Sequence, residues 1–277
     1  MKALVTLLIA LLAGAVIVLG MPIFAERLML GLSGPGEPTP ALTEVVFSLA
    51  VFIPLGVVGI VGARVAGSSA LRLGDKPGPQ AALGLLLGFC GVAVAALHSL
   101  VSNCLGFGPT GSVSSVLFLM GTLLILVQVG AEEIFFRGWL QPVLVARWGA
   151  VGVGIAALAF AVLHLVNGFM QPVSFFNLFL GGLLFGLVSF RNGGIAAAVT
   201  AHFAWNWTEA LLFGLIPNPG VGGFGAMLNL ELSGELLWGG SEEGLNASLG
   251  MTAALLALLL LTAAARPAPN PRALAAA

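Results

Sequence analysis

Two adjacent carboxylates and an arginine at the end of a long apolar run are the residues of this chain best suited to chemistry. The run from Val113 to Gly130 contains no charged residue, and Glu132, Glu133 and Arg137 follow it directly. By length and composition the run is a membrane span. An ionisable side chain near a bilayer interior costs about 3 kcal/mol or more and is retained where it faces protein or water. Two neighbouring carboxylates also resist joint ionisation, so a sequence that keeps such a pair there is expected to use it.

Two of the three histidines and one asparagine offer complementary groups. His164 and His202 lie in two later apolar runs, and Asn206 follows His202 by four residues, which places His202 and Asn206 on one helix face. An imidazole opposite Glu132 would share a water with it and make that water more basic. The other imidazole and the Asn206 amide would donate hydrogen bonds to an oxyanion, the main electrostatic need of peptide hydrolysis. No serine or cysteine stands near these histidines at a spacing suited to a nucleophilic triad.

Each of these polar residues also has a structural interpretation. Glu133 and Arg137, four residues apart, are the natural ion pair of a helix, which leaves Glu132 free for chemistry. A single histidine or asparagine in a membrane helix often serves only as an interhelical hydrogen-bonding group. His98 has no motif around it and is interpreted as a plain interfacial residue. The joint occurrence of the other polar residues on three separate runs is what favours catalysis.

A metal site is the alternative use of the same side chains. Glu132, His164 and His202 would make a plausible zinc-binding set by ligand type, but the chain has no His-x-x-x-His or similar pair that would pre-form it. The two cysteines, Cys90 and Cys104, are too few and too apolar in setting for a thiolate site or a disulfide framework. We therefore expect no cofactor, with zinc as the alternative, and interpret both cysteines as packing residues.

The composition is that of an integral membrane protein. Of the 277 residues, 59% are hydrophobic and 8% are charged, with a mean hydropathy of +1.09, whereas soluble domains carry about 25% charged residues. The net charge of −1 gives no electrostatic basis for binding nucleic acid. The expected partners are the lipid bilayer and a membrane-associated protein or peptide substrate.

Runs of about 20 apolar residues predict an all-α polytopic membrane protein with eight transmembrane helices. The runs are Ala3–Phe24, Val45–Ala63, Ala81–Val101, Val113–Phe136, Val151–Leu165, Val173–Phe190, Ile195–Leu215 and Ala247–Ala265. The first run is too long for a signal peptide, which favours a retained helix. With the N-terminus in the cytoplasm, nine of the ten basic residues fall on the cytoplasmic side and only Arg27 falls outside. The positive-inside rule therefore predicts that both termini are cytoplasmic.

We expect a single transmembrane domain over residues 1–265, without an internal repeat. The segment Ile216–Asn246 is predicted to be an external loop rich in Gly and Pro. Its four glutamates are interpreted as solvated: Glu231, Glu235, Glu242 and Glu243. Residues 266–277 are rich in Pro and Ala and are predicted to be disordered.

The depths of Glu132 and His164 place a demand on the fourth helix. His164 lies about 20 Å from the start of its predicted helix at 1.5 Å per residue, whereas Glu132 lies near the cytoplasmic end of the fourth helix if that helix stops as predicted. The two side chains meet only if the fourth helix, or a broken continuation of it, runs to about Arg147 with a kink near Pro142. If Gly138–Trp148 instead lies flat in the interface, the boundaries of the fifth span are wrong.

Three motifs together resemble the signature of the CAAX-protease and bacteriocin-processing family (CPBP, or Abi) of intramembrane proteases. The signature is Glu-Glu-x-x-x-Arg, Phe-x-x-x-His and His-x-x-x-Asn, spread over three helices. It appears here complete and in order as Glu132-Glu133…Arg137, Phe160…His164 and His202…Asn206. The resemblance covers residues 113–215, and the remaining runs match only as generic apolar helices.

This resemblance implies an eight-helix fold whose motif residues line a water-filled cavity within the membrane. It implies that Glu132 and His164 activate the hydrolytic water, and that His202 and Asn206 form the oxyanion site. The Glu133–Arg137 pair would support them. It also implies a glutamate-based endopeptidase mechanism without a bound metal.

Two other function classes would use the same residues. In a proton- or ion-coupled transporter, Glu132, His164 and His202 would form a relay, although the sequence shows neither the discontinuous helices nor the pseudo-repeat that favour transport. A catalytically idle scaffold descended from a protease is the third class, and the intact motifs argue against it. If the chain is bacterial, it belongs in the plasma (inner) membrane, and prenylated CAAX proteins would be an unexpected target.

Overall fold

The structure is a computed structural model that describes residues 1–33, 37–108, 113–167, 170–215, 222–239 and 243–265. Its α-helices are α1 (Lys2–Ser33), α2 (Pro40–Ala66), α3 (Pro77–Val101), α4 (Ser115–Glu133), α5 (Gln141–Trp148), α6 (Val151–His164), α7 (Pro172–Asn192), α8 (Ala196–Trp207), α9 (Leu236–Gly239) and α10 (Leu249–Ala265). Two π-helical segments, Ile134–Leu140 and Thr208–Leu212, continue α4 and α8, and short 3₁₀ turns cover Leu165–Asn167, Gly222–Phe224 and Leu245–Ala247. The strands are β1 (Leu105–Phe107) and β2 (Leu230–Leu232). The predicted tail, residues 266–277, and Glu242 lie outside the described residues.

The helices are those of an all-α membrane protein, as the composition predicts. Five are long and apolar enough to cross a bilayer: Lys2–Leu32, Pro40–Ala66, Pro77–Val101, Ser115–Trp148 and Pro172–Asn192. Two shorter apolar helices, α6 and α10, accompany them. Large aliphatic side chains such as Leu12, Val57 and Leu86 are exposed on the outer faces of the first three helices. Exposing such apolar faces to water is unfavourable, so these surfaces face lipid.

Several helices extend beyond their predicted ends. α1 continues past the predicted Phe24 as far as Ser33, and α2 begins at Pro40 rather than Val45. The early start of α2 has a local cause, because the Thr39 side chain accepts the Leu42 N–H and Pro40 occupies the first turn, where its missing N–H is not needed. A polar capping residue therefore sets the start of α2, and the hydropathy of the run does not.

The fourth membrane helix is continuous from Ser115 to Trp148, which confirms that it runs past Arg137 to the neighbourhood of Arg147. The kink expected near Pro142 stays a prediction, but the helix is irregular just before that residue. The irregularity is the π-helical segment Ile134–Leu140, and the Gln141 N–H bonds to the carbonyl of Phe136, five residues back. The chain then reverses at Gly149, whose φ of 59° and ψ of −139° suit glycine.

One end of the helix bundle gathers basic residues. Lys2 Nζ, at the start of α1, donates to the carbonyl of Ala66 at the end of α2 over 3.1 Å. Arg191 Nη1, near the end of α7, donates to the carbonyl of Ala263 near the end of α10 over 2.9 Å. The beginning of α1 and the ends of α2, α7 and α10 therefore share one end of the bundle, which is called the basic end below.

A small sheet and a packed loop segment lie where the sequence predicts only loop. β1 and β2 pair antiparallel, with Leu105 opposite Leu232, a minor exception to the all-α prediction. Within the predicted external loop, Phe224 and Leu245 are almost completely buried. Hydrophobic burial therefore ties part of this segment to the helices.

The glutamates of that loop segment differ from one another. Glu231 and Glu235 are exposed, as expected of solvated residues. Glu243 is half-buried and accepts the backbone N–H of Gln171 over 3.0 Å, which corrects its interpretation as a solvated residue. The carboxylate caps the first turn of α7, because Gln171 immediately precedes that helix.

Two clusters of buried side chains form most of the core. One joins α3, α7, α8 and α10 through residues such as Val92, Leu184 and Met251. The other joins α1 and α2 to the helices between Ser115 and His164. Cys90 and Cys104 are free thiols, half-buried and buried respectively, in keeping with packing roles. The candidate site lies between these two clusters, and side chains of both clusters line its cavities.

Candidate active site

Glu132 and Glu133 are the last two residues of α4, immediately before the π-helical segment. Gly59 of α2 packs against this segment so closely that a Cβ there would lie 2.8 Å from the Cα of Phe135. Pro142 lacks an N–H and cannot continue a regular α-helical ladder at that point. π-helical turns inside α-helices are frequently found at functional sites. Here the π-helical segment contains Arg137 and directly follows the carboxylate pair.

A buried chain of ion pairs joins Arg137, Glu133 and His202. Arg137 Nη1 lies 2.7 Å from Glu133 Oε1, and the same oxygen lies 2.9 Å from His202 Nδ1. Arg137 Nη2 also donates to the carbonyl of Gly182 over 2.8 Å. Because the carboxylate, guanidinium and imidazole are all almost completely buried, the Glu133 carboxylate and the Arg137 guanidinium depend on each other for charge compensation.

Aromatic rings enclose this chain of ion pairs. The Arg137 guanidinium carbon lies 4.9 Å from the centroid of the Phe160 ring. The imidazole of His202 stacks on Phe185 with ring centroids 4.6 Å apart and an interplanar angle of 18°. Phe160, the aromatic residue of the second motif, therefore contacts the guanidinium as well as the ring of His164, 4.5 Å away. The rings exclude water from the ion pairs and favour the cationic groups electrostatically.

The hydrogen bond of His164 fixes its tautomer. Its Nδ1 lies 2.8 Å from the carbonyl oxygen of Phe160, one turn earlier in α6. A carbonyl only accepts, so Nδ1 carries the hydrogen, and in the neutral ring Nε2 is an acceptor. The half-buried His164 thus presents a basic nitrogen rather than an N–H to the cavity that it lines.

His202 is held differently, with both ring nitrogens near carboxylates. Nδ1 donates to Glu133, and Nε2 lies 3.6 Å from Glu132 Oε2. Asn206, one helical turn further along α8, is buried beside it. The imidazole therefore lies between the two carboxylates of the acidic pair.

All four predicted catalytic residues line one small cavity, which is called the polar cavity below. It measures about 40 Å³, and Glu132, His164, His202 and Asn206 are in its wall. A water needs about 10–15 Å³ of such space together with polar partners, so the polar cavity has room for water.

A larger apolar cavity of about 280 Å³ lies on the other side of Glu132. Its wall includes Phe47, Val51 and Phe136, and it also contains Glu132 and His164. The carboxylate and the imidazole therefore stand between a polar and an apolar space. Glu133 and Arg137 line neither cavity and lie behind the site.

Four further polar residues in the wall of the polar cavity are absent from the predicted site: Gln128, Asn177, Glu209 and Asn246. Gln128 precedes Glu132 by one helical turn, so the four-residue spacing was a usable signal. Glu209 is an ionisable residue inside the predicted seventh span, which by itself marks a candidate functional position. The carboxylate is fully buried, and its Oε1 accepts the backbone N–H of Leu245 over 3.1 Å.

Asn177 ties α7 to the start of α10. Its Nδ2 donates to the carbonyls of Asn246 and Ser248 over 2.8 and 3.0 Å, and its Oδ1 accepts the Thr252 hydroxyl over 2.7 Å. All the hydrogen-bonding groups of this amide except one carbonyl lone pair are thereby used. Asn177 closes the side of the polar cavity that faces the 3₁₀ turn Leu245–Ala247. Its hydrogen bonds explain its presence there as a structural residue.

His98, interpreted as an interfacial residue, makes a specific contact. Its ring is half-buried and stacks on Trp238 with centroids 5.7 Å apart and an interplanar angle of 14°. It belongs to neither cavity of the site. Across the described part of the chain, no group of three or more His, Cys, Asp or Glu side chains is arranged to hold a metal ion.

The segment that carries the candidate site is similar to a known protease family. Residues 113–208 match the family model described as type II CAAX prenyl endopeptidase Rce1-like. This segment, about a third of the chain, contains all six predicted site residues. The match confirms, over this segment, the resemblance indicated by the three motifs. Neither curated proteins nor solved structures give a match.

Proposed function

We propose that this protein is an intramembrane endopeptidase that hydrolyses a peptide bond of a membrane-associated protein or peptide with an activated water. The observation that carries this proposal is the convergence of Glu132, His164, His202 and Asn206 on one enclosed cavity with room for water. The family match supports hydrolase chemistry at a membrane-embedded site. The roles of the individual residues follow from the hydrogen bonds around them.

Glu132 and His164 are suited to orient and deprotonate the water. The carboxylate only accepts hydrogen bonds, and the Nδ1–H of His164 is committed to Phe160, so Nε2 is an acceptor as well. A water between them donates one hydrogen to each and directs a lone pair at the scissile carbonyl carbon. In the proposed step the water oxygen bonds to that carbon, and Glu132 takes the proton and returns it to the leaving amine nitrogen as the C–N bond breaks.

His202 and Asn206 are suited to bind the oxyanion that forms. Since His202 Nδ1 already donates to Glu133, His202 donates to an oxyanion only if Nε2 carries a second hydrogen. The oxyanion role therefore requires the imidazolium form, which two carboxylates flank. Asn206 would add its amide N–H₂, one turn further along the helix. Fixed donors of this kind supply the largest electrostatic term in acyl transfer.

Glu133 and Arg137 would act by position and charge. Arg137 holds Glu133 from behind, and Glu133 holds His202. This sequence of contacts sets the orientation of the imidazole without placing Arg137 in the cavity. The roles proposed for the pair are therefore those of positioning residues.

The proposed setting is an eight-helix bundle with both termini in the cytoplasm. The segment of α8 and the following π-helical turn, together with α6 and α10, would complete the five longer spans. The clustering of Lys2 and Arg191 at the basic end, where α1 begins and α7 and α10 end, supports this orientation under the positive-inside rule. In a bacterial cell the membrane would be the plasma (inner) membrane.

The test compares purified wild type with Glu132→Gln and with Glu231→Gln, a matched control because Glu231 is exposed and remote from the site. Each protein in liposomes receives a mixed library of labelled peptides that includes prenylated CAAX peptides, with EDTA and phenanthroline as separate arms. We expect cleavage by wild type and by the control, a loss of about 10²–10⁴-fold in Glu132→Gln, and no effect of the chelators.

Three other results would overturn parts of the proposal. Equal cleavage by wild type and Glu132→Gln would remove Glu132 as the base. Cleavage that chelators abolish and zinc restores would make Glu132, His164 and His202 metal ligands. No cleavage of any peptide by wild type, with proton flux across the liposomes that Glu132→Gln abolishes, would identify a transporter.

A further inference from the structure

We infer that the basic end of the bundle holds a second site, which binds the phosphoglycerol headgroup of an anionic phospholipid. The site is a cavity of about 370 Å³, called the basic-end cavity here, between the end of α2, α5 and the turn from α7 to α8. It is separate from the polar and apolar cavities and shares no lining residue with them. The inference does not rest on the proposed peptidase activity.

The positive charge of the residues that line the basic-end cavity favours binding of an anion. Two guanidinium side chains, Arg72 and Arg137, line the basic-end cavity, and no carboxylate does. The hydroxyls of Ser68, Ser69 and Ser189 complete the polar wall. Guanidinium groups bind phosphate through paired hydrogen bonds, and serine hydroxyls add donors that can turn toward it. The charge of Arg137 is offset by Glu133, so Arg72 supplies the uncompensated positive charge.

An unsatisfied acceptor narrows the class of ligand. The side chain of Gln141 is buried in the wall of the basic-end cavity, and its Nε2 donates to the carbonyl of Gly186 over 3.0 Å. Its Oε1 is buried and has no hydrogen-bond partner among the residues that the structure describes. A buried acceptor left unpaired is destabilising, so the ligand is expected to bring a donor as well as an anion. A phosphoglycerol headgroup carries both, because its hydroxyls lie a few bonds from the phosphate.

The position of the cavity suits a lipid that lies in the bilayer leaflet. Arg72 and Ser69 are exposed, so the wall opens at the surface of the bundle. The backbone N–H of Ile195 donates to the Arg72 carbonyl over 2.9 Å, which fixes the Arg72 segment against the start of α8. Apolar residues such as Val145 and Phe190 also line the cavity and would contact the first carbons of the lipid. Basic pockets between membrane helices on the cytoplasmic side are typical of anionic lipid sites, and the orientation proposed above places the basic end on that side.

The shared residue Arg137 gives the two sites a physical connection. One edge of its guanidinium holds Glu133, which holds His202, and the same side chain reaches the wall of the basic-end cavity. A headgroup phosphate there would add negative charge near Arg137, opposite Glu133. The bound lipid therefore adds charge compensation to the buried arginine on the side that faces away from the acidic pair.

The test is native mass spectrometry of the full chain in detergent, titrated separately with dioleoyl phosphatidylglycerol, phosphatidic acid and phosphatidylcholine, and with inorganic phosphate. The variants are Arg72→Gln, which removes the uncompensated charge, and Ala146→Trp, which fills the cavity from an exposed wall position without changing charge. The matched control is Arg64→Gln, because Arg64 is exposed at the same end and does not line the cavity. We expect wild type to retain phosphatidylglycerol most strongly, and each cavity variant to weaken retention by about five-fold while the control does not.

The arms separate the sources of the phosphate. Displacement of phosphatidylglycerol by inorganic phosphate in wild type, lost in Arg72→Gln, would support the anion site. Equal retention of the three lipids by wild type would overturn the inference. An equal loss in Arg72→Gln and Arg64→Gln would reduce the effect to general surface charge and overturn it too. Unchanged binding in both Arg72→Gln and Ala146→Trp would place the lipid elsewhere.

Discussion

Glu133 and Glu209 are both fully buried carboxylates near the polar cavity, and the structure supports them in different ways. Glu133 Oε1 is bonded to the guanidinium of Arg137 and to the imidazole of His202. Glu209 Oε1 accepts only a backbone N–H, from Leu245, and its Oε2 has no hydrogen-bond partner. Across the described part of the chain, no basic side chain forms a salt bridge with Glu209, whereas Glu133 forms two.

The difference separates a charge that the fold requires from a carboxyl that the fold only accommodates. A buried charge is stable when its partners compensate it, and removing one partner exposes the full cost of the other. The buried Arg137 guanidinium therefore depends on the Glu133 carboxylate as its counter-charge. Glu209 accepts one backbone N–H, from Leu245. A neutral carbonyl oxygen would accept that hydrogen bond equally well. Replacing the carboxylate by an amide should therefore lower the free energy of unfolding strongly at Glu133 and very little at Glu209.

The largest effect is expected for Glu133→Gln. The amide keeps the shape of the side chain but leaves Arg137 buried without its counter-charge, so the free energy of unfolding should fall by about 3–5 kcal/mol. Unfolding in detergent with increasing sodium dodecyl sulfate, followed by tryptophan fluorescence, measures this. Peptidase activity should fall as well, because the acceptor that orients His202 Nδ1 loses its charge.

The double variant Glu133→Gln/Arg137→Met is the control for this explanation. Removing both charges should restore part of the lost stability, since no uncompensated ion remains. If the double variant is less stable than Glu133→Gln by the full cost of Arg137→Met alone, the pair is not coupled. The comparison between the two carboxylates would then have lost its basis.

The sequence predicted the members of this ion-pair chain better than their connections. The spacing of Glu133 and Arg137 predicted their ion pair, and the depths of Glu132 and His164 predicted a helix that continues to about Arg147. The π-helical segment was not predicted, because no residue spacing within it signals a π-helix, and the close packing of Gly59 against Phe135 joins residues far apart in the sequence. The bond from His202 to Glu133 was also missed, since residues 69 positions apart give no local signal.

Glu209 shows the opposite failure, in which a local signal was present and was not used. An ionisable residue inside an apolar run is informative wherever it occurs, but Glu209 belongs to none of the three motifs. Its partner, Leu245, lies in the segment predicted to be an external loop, and only the folded chain brings the 3₁₀ turn Leu245–Ala247 under the cavity. Motif spacing therefore predicted the wall of the polar cavity that contains Glu132, His164 and His202, and long-range packing determined the opposite wall.

An intermediate effect is expected for Asn177→Leu in that opposite wall. The substitution removes the donor shared by the carbonyls of Asn246 and Ser248 and the acceptor of the Thr252 hydroxyl. Buried groups left unpaired should lower the free energy of unfolding by about 1–3 kcal/mol. The same detergent unfolding measures the loss, with Thr252→Val as the matched variant that removes the hydroxyl and keeps the donors of Asn177. A loss in Thr252→Val as large as that in Asn177→Leu would assign the stability to the hydroxyl contact alone.

The smallest effect is expected for Glu209→Gln. The amide oxygen still accepts the Leu245 N–H, and no buried cation loses its partner, so the free energy of unfolding should change by less than about 1 kcal/mol. Glu209→Leu is the matched comparison, because it leaves the Leu245 N–H buried and unpaired and should cost about 1–3 kcal/mol. A loss in Glu209→Gln as large as that in Glu133→Gln would mean that Glu209 carries a charge that the fold needs. Glu209 would then be a charge that the fold requires, like Glu133. Its counter-ion would have to lie in the polar cavity, since Glu209 is in the wall of that cavity together with Glu132.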